Sequence, residues 1–318
     1  MGIRLAVVSC VCLGSILGVT RVILHGPSSV AVVESAPVIA SAPVPELLFP
    51  DIPVARNEFV DRFINLFYHE QTDRIALYLK RSGRYEGMIR TKLRERGMPE
   101  DLLYLSMIES GFNPNALSTA EAVGLWQFVA GTARLYGLRV DGYVDERRDP
   151  VRATDAALEY LQDLHGQFGA WNLAAAAYNT GEVRVAQAMR EVTGSVRGSE
   201  NDFWRIRSRL PQETREYVPL MYAAALIGRE PQKYGLDGVE RLLPVQLESV
   251  PVPGGTSLER VALAVGVPVN DLRQLNAHLV RGTTPPGRPY PVNVPLGRGE
   301  ALRASFGAEV GFGPSPHG

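Results

Sequence analysis

The chain has 318 residues, 45% of them hydrophobic and 21% charged, with 33 Lys and Arg set against 34 Asp and Glu. That length and apolar share suffice for a full core, divided most naturally into one large domain and one small one. A net charge of −1 leaves no electrostatic footprint for a nucleic-acid partner.

Residues 1–31 read as an export signal. Arg4 supplies a positive start, Leu5 to Val19 are apolar or small, and Arg21 interrupts the run before it reaches the ~20 residues of a comfortable span. Ser29-Val30-Ala31 offers small residues for cleavage after Ala31; a retained amino-terminal anchor, holding the chain at the membrane, is the other reading. The only cysteines, Cys10 and Cys12, lie in this run. A chain cleaved there would carry no disulfide and no zinc–thiolate site. Residues 32–57 are rich in Pro, Ala and Val and read as an extended tether.

Phe59, Phe63, Ile64 and Phe67 repeat at helical spacing, so a helix is predicted from Asn57 or Glu58, its aromatic stripe turned to the core. Further helices are predicted over about 73–79 and 84–96, the latter ended by Gly97. Pro99 suits the first position of the next helix, with Glu100 and Asp101 at its positive end. Leu102, Leu103, Leu105, Met107 and Ile108 leave that helix almost no polar face, so it should be buried. Within it sits one carboxylate, Glu109, followed by Ser110-Gly111 and by Asn113-Pro114, where a helix does not continue. Loss of hydration disfavours a charged carboxylate and raises its pKa. A carboxylic acid protonated near neutrality is what general-acid chemistry requires. On these residues alone, a glutamate that caps the helix or pairs with an arginine is an equal reading.

A short helix is expected over Thr132 to Gly137. In DERRDP, Asp149 suits an N-cap and Pro150 a first helical position, and the charges read as a structural ion network. Val151 to Phe168 is a long amphipathic helix, and Trp171 to Tyr178 an alanine-rich one stopped at Thr180-Gly181. Glu182 to Thr193, Phe203 to Arg209 and Pro211 to Ile227 complete the helical part, with Tyr217 read as packing and a place in the cleft as the alternative.

Three stretches in order, ESGFNPNALS from Glu109, GLWQF from Gly124 and AAYNTG from Ala176, resemble the lysozyme-like domain of lytic transglycosylases. The likeness is greatest to the membrane-bound lytic murein transglycosylase D group and covers roughly residues 60–234. The resemblance implies peptidoglycan glycan strands as substrate, no cofactor or metal, and an exported enzyme of the periplasm or cell envelope. It implies Glu109 as the catalytic acid. Ser118 would stand beside it, Gln127 would face the sugar cleft, Tyr178 would aim its hydroxyl at the glutamate, and Asn179 would shape the cleft. Ser118 also reads as a helix N-cap, and Asn179 as a helix stop. Two departures stand out. Glu121 occupies the place of a glycine that tolerates positive φ, and Val129-Ala130 stands where Met-Pro is usual.

By the same resemblance, one glutamate cleaves the bond between N-acetylmuramic acid and N-acetylglucosamine without water, leaving a 1,6-anhydro end. Hydrolysis in the manner of a muramidase would need a second carboxylate, for which Glu121, Asp145 and Glu182 are the nearby candidates. A catalytically silent wall-binding protein is a further alternative.

From Pro244 the pattern changes. Val245, Leu247 and Val250 alternate as in a strand, short helices are predicted after Gly254-Gly255-Thr256-Ser257-Leu258 and over Asp271 to Asn276, and Tyr290 to Val294 closes as a strand. This β-α-α-β order over residues 244–297 resembles a LysM module, which binds N-acetylglucosamine polymers; packing against the catalytic domain is the competing role. Residues 298–318 are expected to be a flexible tail, with 307–318 rich in Gly and Pro. The fold expected is mainly α and lysozyme-like over 58–243, followed by a small α+β module.

Overall fold

The computed structural model describes Ile52 and residues 56–310. The signal reading, both cysteines and most of the tether lie outside the described residues.

Helix α1 (Glu58–Asn65) starts where the Asn57 side chain accepts from the backbone N–H groups of Phe59 and Val60, and it buries Val60, Phe63 and Ile64. Helices α2 (Thr72–Ser82) and α3 (Glu86–Glu95) follow. A single 3-10 turn, Glu100–Leu102, precedes α4 (Leu103–Ser110). Pro99 therefore stands before that turn with ψ 130, extended, and not inside the helix. Every side chain from Leu103 to Glu109 is buried, as the near-continuous apolar run requires. The helix stops at Gly111, whose φ of 58 is left-handed.

The remaining helices of this unit are α5 (Ala130–Leu135), α6 (Pro150–Phe168), α7 (Trp171–Thr180), α8 (Glu182–Thr193), α9 (Asp202–Ile206) and α10 (Gln212–Arg229). Asp149 caps α6 by accepting from the Val151 and Arg152 amides, with Pro150 at its first turn. Helix α7 lies against α6, α8 and α10, and Ala174 to Ala177 are fully buried there, because residues without bulk let helix axes approach. Helix α4 packs against α10 and α3. An ion pair between buried Asp101 and half-buried Arg229 ties the turn before α4 to the end of α10. Pro219 lies inside α10 and brings no N–H for the Arg215 carbonyl one turn earlier. That carbonyl accepts from Arg207 Nε at 2.9 Å instead.

The second unit is a two-stranded antiparallel sheet carrying two helices. Strands β1 (Leu247–Val252) and β2 (Tyr290–Pro295) pair with Val250 opposite Val292, and α11 (Leu258–Val265) and α12 (Val269–Leu275) lie between them in sequence. Ser257 caps α11 by accepting from the Arg260 amide at 3.2 Å. The flexible tail expected from residue 298 is corrected here. Helix α13 (Gly299–Val310) packs on β1 and α11 and buries Leu302 and Phe306 in the second core. Those two apolar side chains, four residues apart on one helix face, outweigh the tail's glycine content.

Residues 142–149 join the two units. Val144 is fully buried in the core of the module, not of the helical unit. Val144 pairs with Leu279, the Val280 amide donates to the Tyr143 carbonyl at 3.1 Å, and the Asp145 amide donates to the His278 carbonyl at 2.8 Å. The Tyr290 hydroxyl donates to Glu146 Oε1 at 2.9 Å. Among the described residues no helix is long and apolar enough to cross a membrane.

Candidate active site

Glu109 closes the last turn of α4 and is only 7% exposed. Its Oε1 accepts a 2.6 Å hydrogen bond from the hydroxyl of Tyr217, which is 2% exposed on α10. A short O–H···O bond of that length fixes the rotamer of the carboxyl group. The reading of Tyr217 as packing is therefore corrected: its ring is buried, but its hydroxyl meets the candidate acid.

The hydroxyl of Tyr178, on α7, donates to the Trp126 carbonyl at 2.7 Å. The Tyr178 ring lies edge-on to Phe128 and tilted against Tyr160, with centroids 6.3 and 5.2 Å away. This tyrosine thus fastens α7 to the GLWQF loop. Trp126 is itself fully buried, and its indole N–H donates to Thr154 Oγ1 at 2.9 Å, so it packs and is not a sugar platform. Leu125 receives the hydroxyls of Ser110 at 2.9 Å and Ser106 at 3.2 Å on its carbonyl. The loop is in this way bonded to the residue next to Glu109.

Gln127 is buried, and its side-chain amide donates to the Gly124 carbonyl at 2.9 Å and the Ala116 carbonyl at 3.4 Å. Its φ is 48, left-handed for a residue with a Cβ. The NH2 group is thus engaged in shaping the loop. Ser118 is half-buried; its Oγ accepts from the Ala122 amide at 3.0 Å, and its own amide donates to the Ala122 carbonyl at 2.9 Å. It caps the turn 118–122, and no helix follows it. Glu121, at the end of that turn, has φ 59, the left-handed conformation for which its place calls for glycine.

Asn179 is 2% exposed and reaches from α7 to the first turn of α10. Its Oδ1 accepts from Thr214 Oγ1 at 2.8 Å, and its Nδ2 donates to Glu213 Oε1 at 3.2 Å. Tyr217 follows one turn later on the same helix. Asn179 therefore sets the end of α10 that presents Tyr217, so α4, α7, α10 and the GLWQF loop converge on Glu109.

The predicted ion network in DERRDP is present. Arg147 forks onto both oxygens of Asp145 at 2.8 and 2.9 Å, and Arg152 reaches Glu146 at 2.8 Å. Gly124, φ 87, lies on this turn so closely that a Cβ would fall 1.9 Å from the Arg147 carbonyl oxygen. Between the helical unit and the module a cavity of about 800 Å³ runs past Pro114 and Arg148 to Gln274. Among the described residues no group of three His, Cys, Asp or Glu is placed to hold a metal ion.

Residues 87–197 match the family model described as Transglycosylase SLT domain. Residues 246–307 match the model described as Lytic transglycosylase MltD, LysM-like domain. Membrane-bound lytic murein transglycosylase D of Escherichia coli (strain K12) is 39% identical over 228 residues, which cover 70% of this chain and 48% of that protein. The chain thus spans about half the length of that relative. Membrane-bound lytic murein transglycosylase C of Haemophilus influenzae (strain PittGG) is 34% identical over 94 residues, 28% of this chain and 26% of its own length. Among solved structures, an inactive mutant of the lytic transglycosylase Slt from Pseudomonas aeruginosa is 25% identical, covers 48% of this chain and 25% of its own, and has a TM-score of 0.37. Both models are matched in this order, and the likeness to the D-type relative runs across most of the chain, so the chain carries an SLT transglycosylase domain followed by an MltD-type LysM-like domain.

Proposed function

We propose that this chain is a peptidoglycan lytic transglycosylase that cleaves the bond between N-acetylmuramic acid and N-acetylglucosamine without water, leaving 1,6-anhydro ends. The observation that carries the reading is the buried carboxyl group of Glu109, held by the Tyr217 hydroxyl within a matched transglycosylase domain. Glu109 acts first as the acid that protonates the glycosidic oxygen. The cation-like sugar centre that results is stabilised by the substrate's own N-acetyl group. Glu109, now a carboxylate, then takes the proton from the muramoyl 6-hydroxyl as that oxygen closes on the anomeric carbon. Ring closure within one bound sugar needs no second reactant, which is the advantage of proximity.

Two observations favour this over hydrolysis, which needs a second carboxylate to activate water. Both oxygens of Asp145 accept from Arg147, and Glu121 is an exposed residue whose backbone is tied into the turn after Ser118. The third candidate, Glu182, is buried in the first turn of α8 and is assigned no part in the reaction. Ser118, Gln127, Tyr178 and Asn179 are assigned to shaping the substrate cleft, chiefly by holding the loop and α10 in place. The wall polymer lies outside the cytoplasm, so we assign the protein to the cell envelope, attached to the membrane where its amino-terminal segment is retained.

Mass spectrometry of muropeptides released from purified peptidoglycan, by the unaltered protein and by Glu109→Gln, tests the reading. Anhydromuropeptides from the unaltered protein alone are expected. Products one water heavier would assign it as a hydrolase, and wall binding with no release from either would assign it as a lectin.

A further inference from the structure

Arg147 is buried, 8% exposed, between the module and the loop that runs from Ser118 to Phe128. Its Nε and Nη2 pair with Asp145. Its Nη1 donates to the Glu121 carbonyl at 2.9 Å and to the Phe128 carbonyl at 3.0 Å. One guanidinium therefore closes the two ends of the segment 121–128, while its own carbonyl oxygen underlies Gly124 in the middle. What this segment holds is the neighbourhood of the candidate acid: the Leu125 carbonyl takes the Ser110 hydroxyl, and the Trp126 carbonyl takes that of Tyr178.

The segment also contains two residues that work against it. Glu121 and Gln127 have φ of 59 and 48, conformations that a residue with a Cβ keeps only where its surroundings hold it. The carbonyl of Glu121 is one of the two that Arg147 grips. From the other side, the module seats the arginine's partner: the His278 carbonyl receives the Asp145 amide, and Tyr290 bonds the adjacent Glu146.

We propose that Arg147 is a positioning residue for the reaction at Glu109, and that the LysM-like module acts through the Asp145–Arg147 turn as a brace for the active-site loop. The proposal rests on the reading of Glu109 as the catalytic acid. A planar fork with donors on three nitrogens can bind a carboxylate and two carbonyls at once; a lysine ammonium in the same place cannot span them.

The test uses the full chain and reads kcat and KM for muropeptide release, together with the unfolding temperature, for Arg147→Lys, Arg147→Gln and Tyr290→Phe. Rates are taken well below the unfolding temperature of each variant, and Arg147→Lys keeps the test alive if Arg147→Gln does not fold. Arg147→Lys is expected to lose roughly tenfold or more in kcat with KM changed less than about threefold, since small displacements of a catalytic group cost rate more than binding. Tyr290→Phe should lower kcat in the same direction by a smaller factor. Glu121→Gly, introduced into Arg147→Lys, should restore at least about threefold of the lost kcat, because glycine keeps a positive φ without the clamp. Unchanged kcat in Arg147→Lys with only a lower unfolding temperature would overturn the positioning role. Failure of Glu121→Gly to restore any rate would overturn the strain argument, and unchanged kcat in Tyr290→Phe would overturn the brace. Absence of any release by the unaltered protein would instead refute the reading of Glu109.

Discussion

Removing one oxygen atom tests the geometry at Glu109 directly. In Tyr217→Phe the ring still fills its buried site on α10, and the 2.6 Å hydrogen bond to Glu109 Oε1 is lost. A hydrogen bond to a charged group contributes about 1.5–3 kcal/mol. In the proposed cleavage step Glu109 gives up its proton and gains negative charge, so the donor bond strengthens on the way to the transition state, and only that increase speeds the reaction. If between half and all of the bond is expressed there, the loss is about 0.75–3 kcal/mol, or roughly 3- to 150-fold in kcat. Ring closure, in which Glu109 takes a proton back, is not slowed by the same change. The assay is the initial rate of anhydromuropeptide release at saturating substrate, with the unfolding temperature measured alongside. A kcat within about twofold of the unaltered protein, the fold being intact, would refute the claim that this hydroxyl serves the acid.

Phe306→Ala removes a side chain that is 2% exposed in the core of the module and should cost about 3–5 kcal/mol, seen as a lower-temperature transition in calorimetry; an unchanged trace would return 299–310 to the status of a tail. Burial lowers the pKa of His278 below its usual value, against the attraction of Asp149 and Glu146, while Arg152 adds to the lowering. The unfolded chain then takes up a proton near pH ~6.5 while the folded one does not, so stability falls as pH drops through that value, and His278→Gln should flatten the profile of unfolding temperature between about pH 5 and 7. An equal slope in the variant would remove His278 as its source. Glu121→Gly relieves a left-handed residue that costs about 1–2 kcal/mol and adds about 0.4–1 kcal/mol of unfolded-chain freedom, so it should stabilise the protein by up to about 1.5 kcal/mol in denaturant melts; a destabilised variant would contradict the strain.

The helices were legible because each carried its own period or its own stop. Asp149 caps α6 as its side chain predicts, Asn57 and Ser257 cap the helices that begin beside them, and the buried run before Glu109 packs against α10 and α3. Glu109 stood out because it is a lone carboxylate in that run. Tyr217 did not, because it is 108 residues away and no local spacing joins them. One signal was available: Tyr217 directly precedes the apolar run VPLMYAAALI, and a tyrosine buried at the start of such a run must find a partner for its hydroxyl. The substitution of Glu121 for glycine correctly pointed to positive φ at that position. The role of Arg147 could not be read from DERRDP, since the carbonyls it grips belong to a loop some twenty residues earlier and carry no side-chain signature. The C-terminal helix was obscured by composition, because glycine near its end outweighed Leu302 and Phe306 in the reading.

The two departures from the family pattern differ in what they ask of the fold. Val129 is extended, with φ −76 and ψ 150, and Ala130 begins α5. A residue before proline adopts that same extended conformation, and proline is at home in the first position of a helix. Val-Ala therefore takes the path that Met-Pro would take, without strain, and nothing around it has to compensate. Glu121 is different. Its backbone follows the course a glycine would follow, φ 59, but with a Cβ that opposes it, and its side chain is exposed to solvent, where packing cannot hold it. What holds it must act on the main chain: its amide donates to the Ser118 carbonyl at 3.1 Å within the turn, and its carbonyl accepts from the Arg147 guanidinium, the contact that reaches the turn from outside. A loop that has lost its glycine leans more heavily on that arginine than one that has kept it. The dependence of kcat on Arg147 should accordingly shrink once Glu121 is returned to glycine, and this is the coupling that separates a clamp from an ordinary buried ion pair.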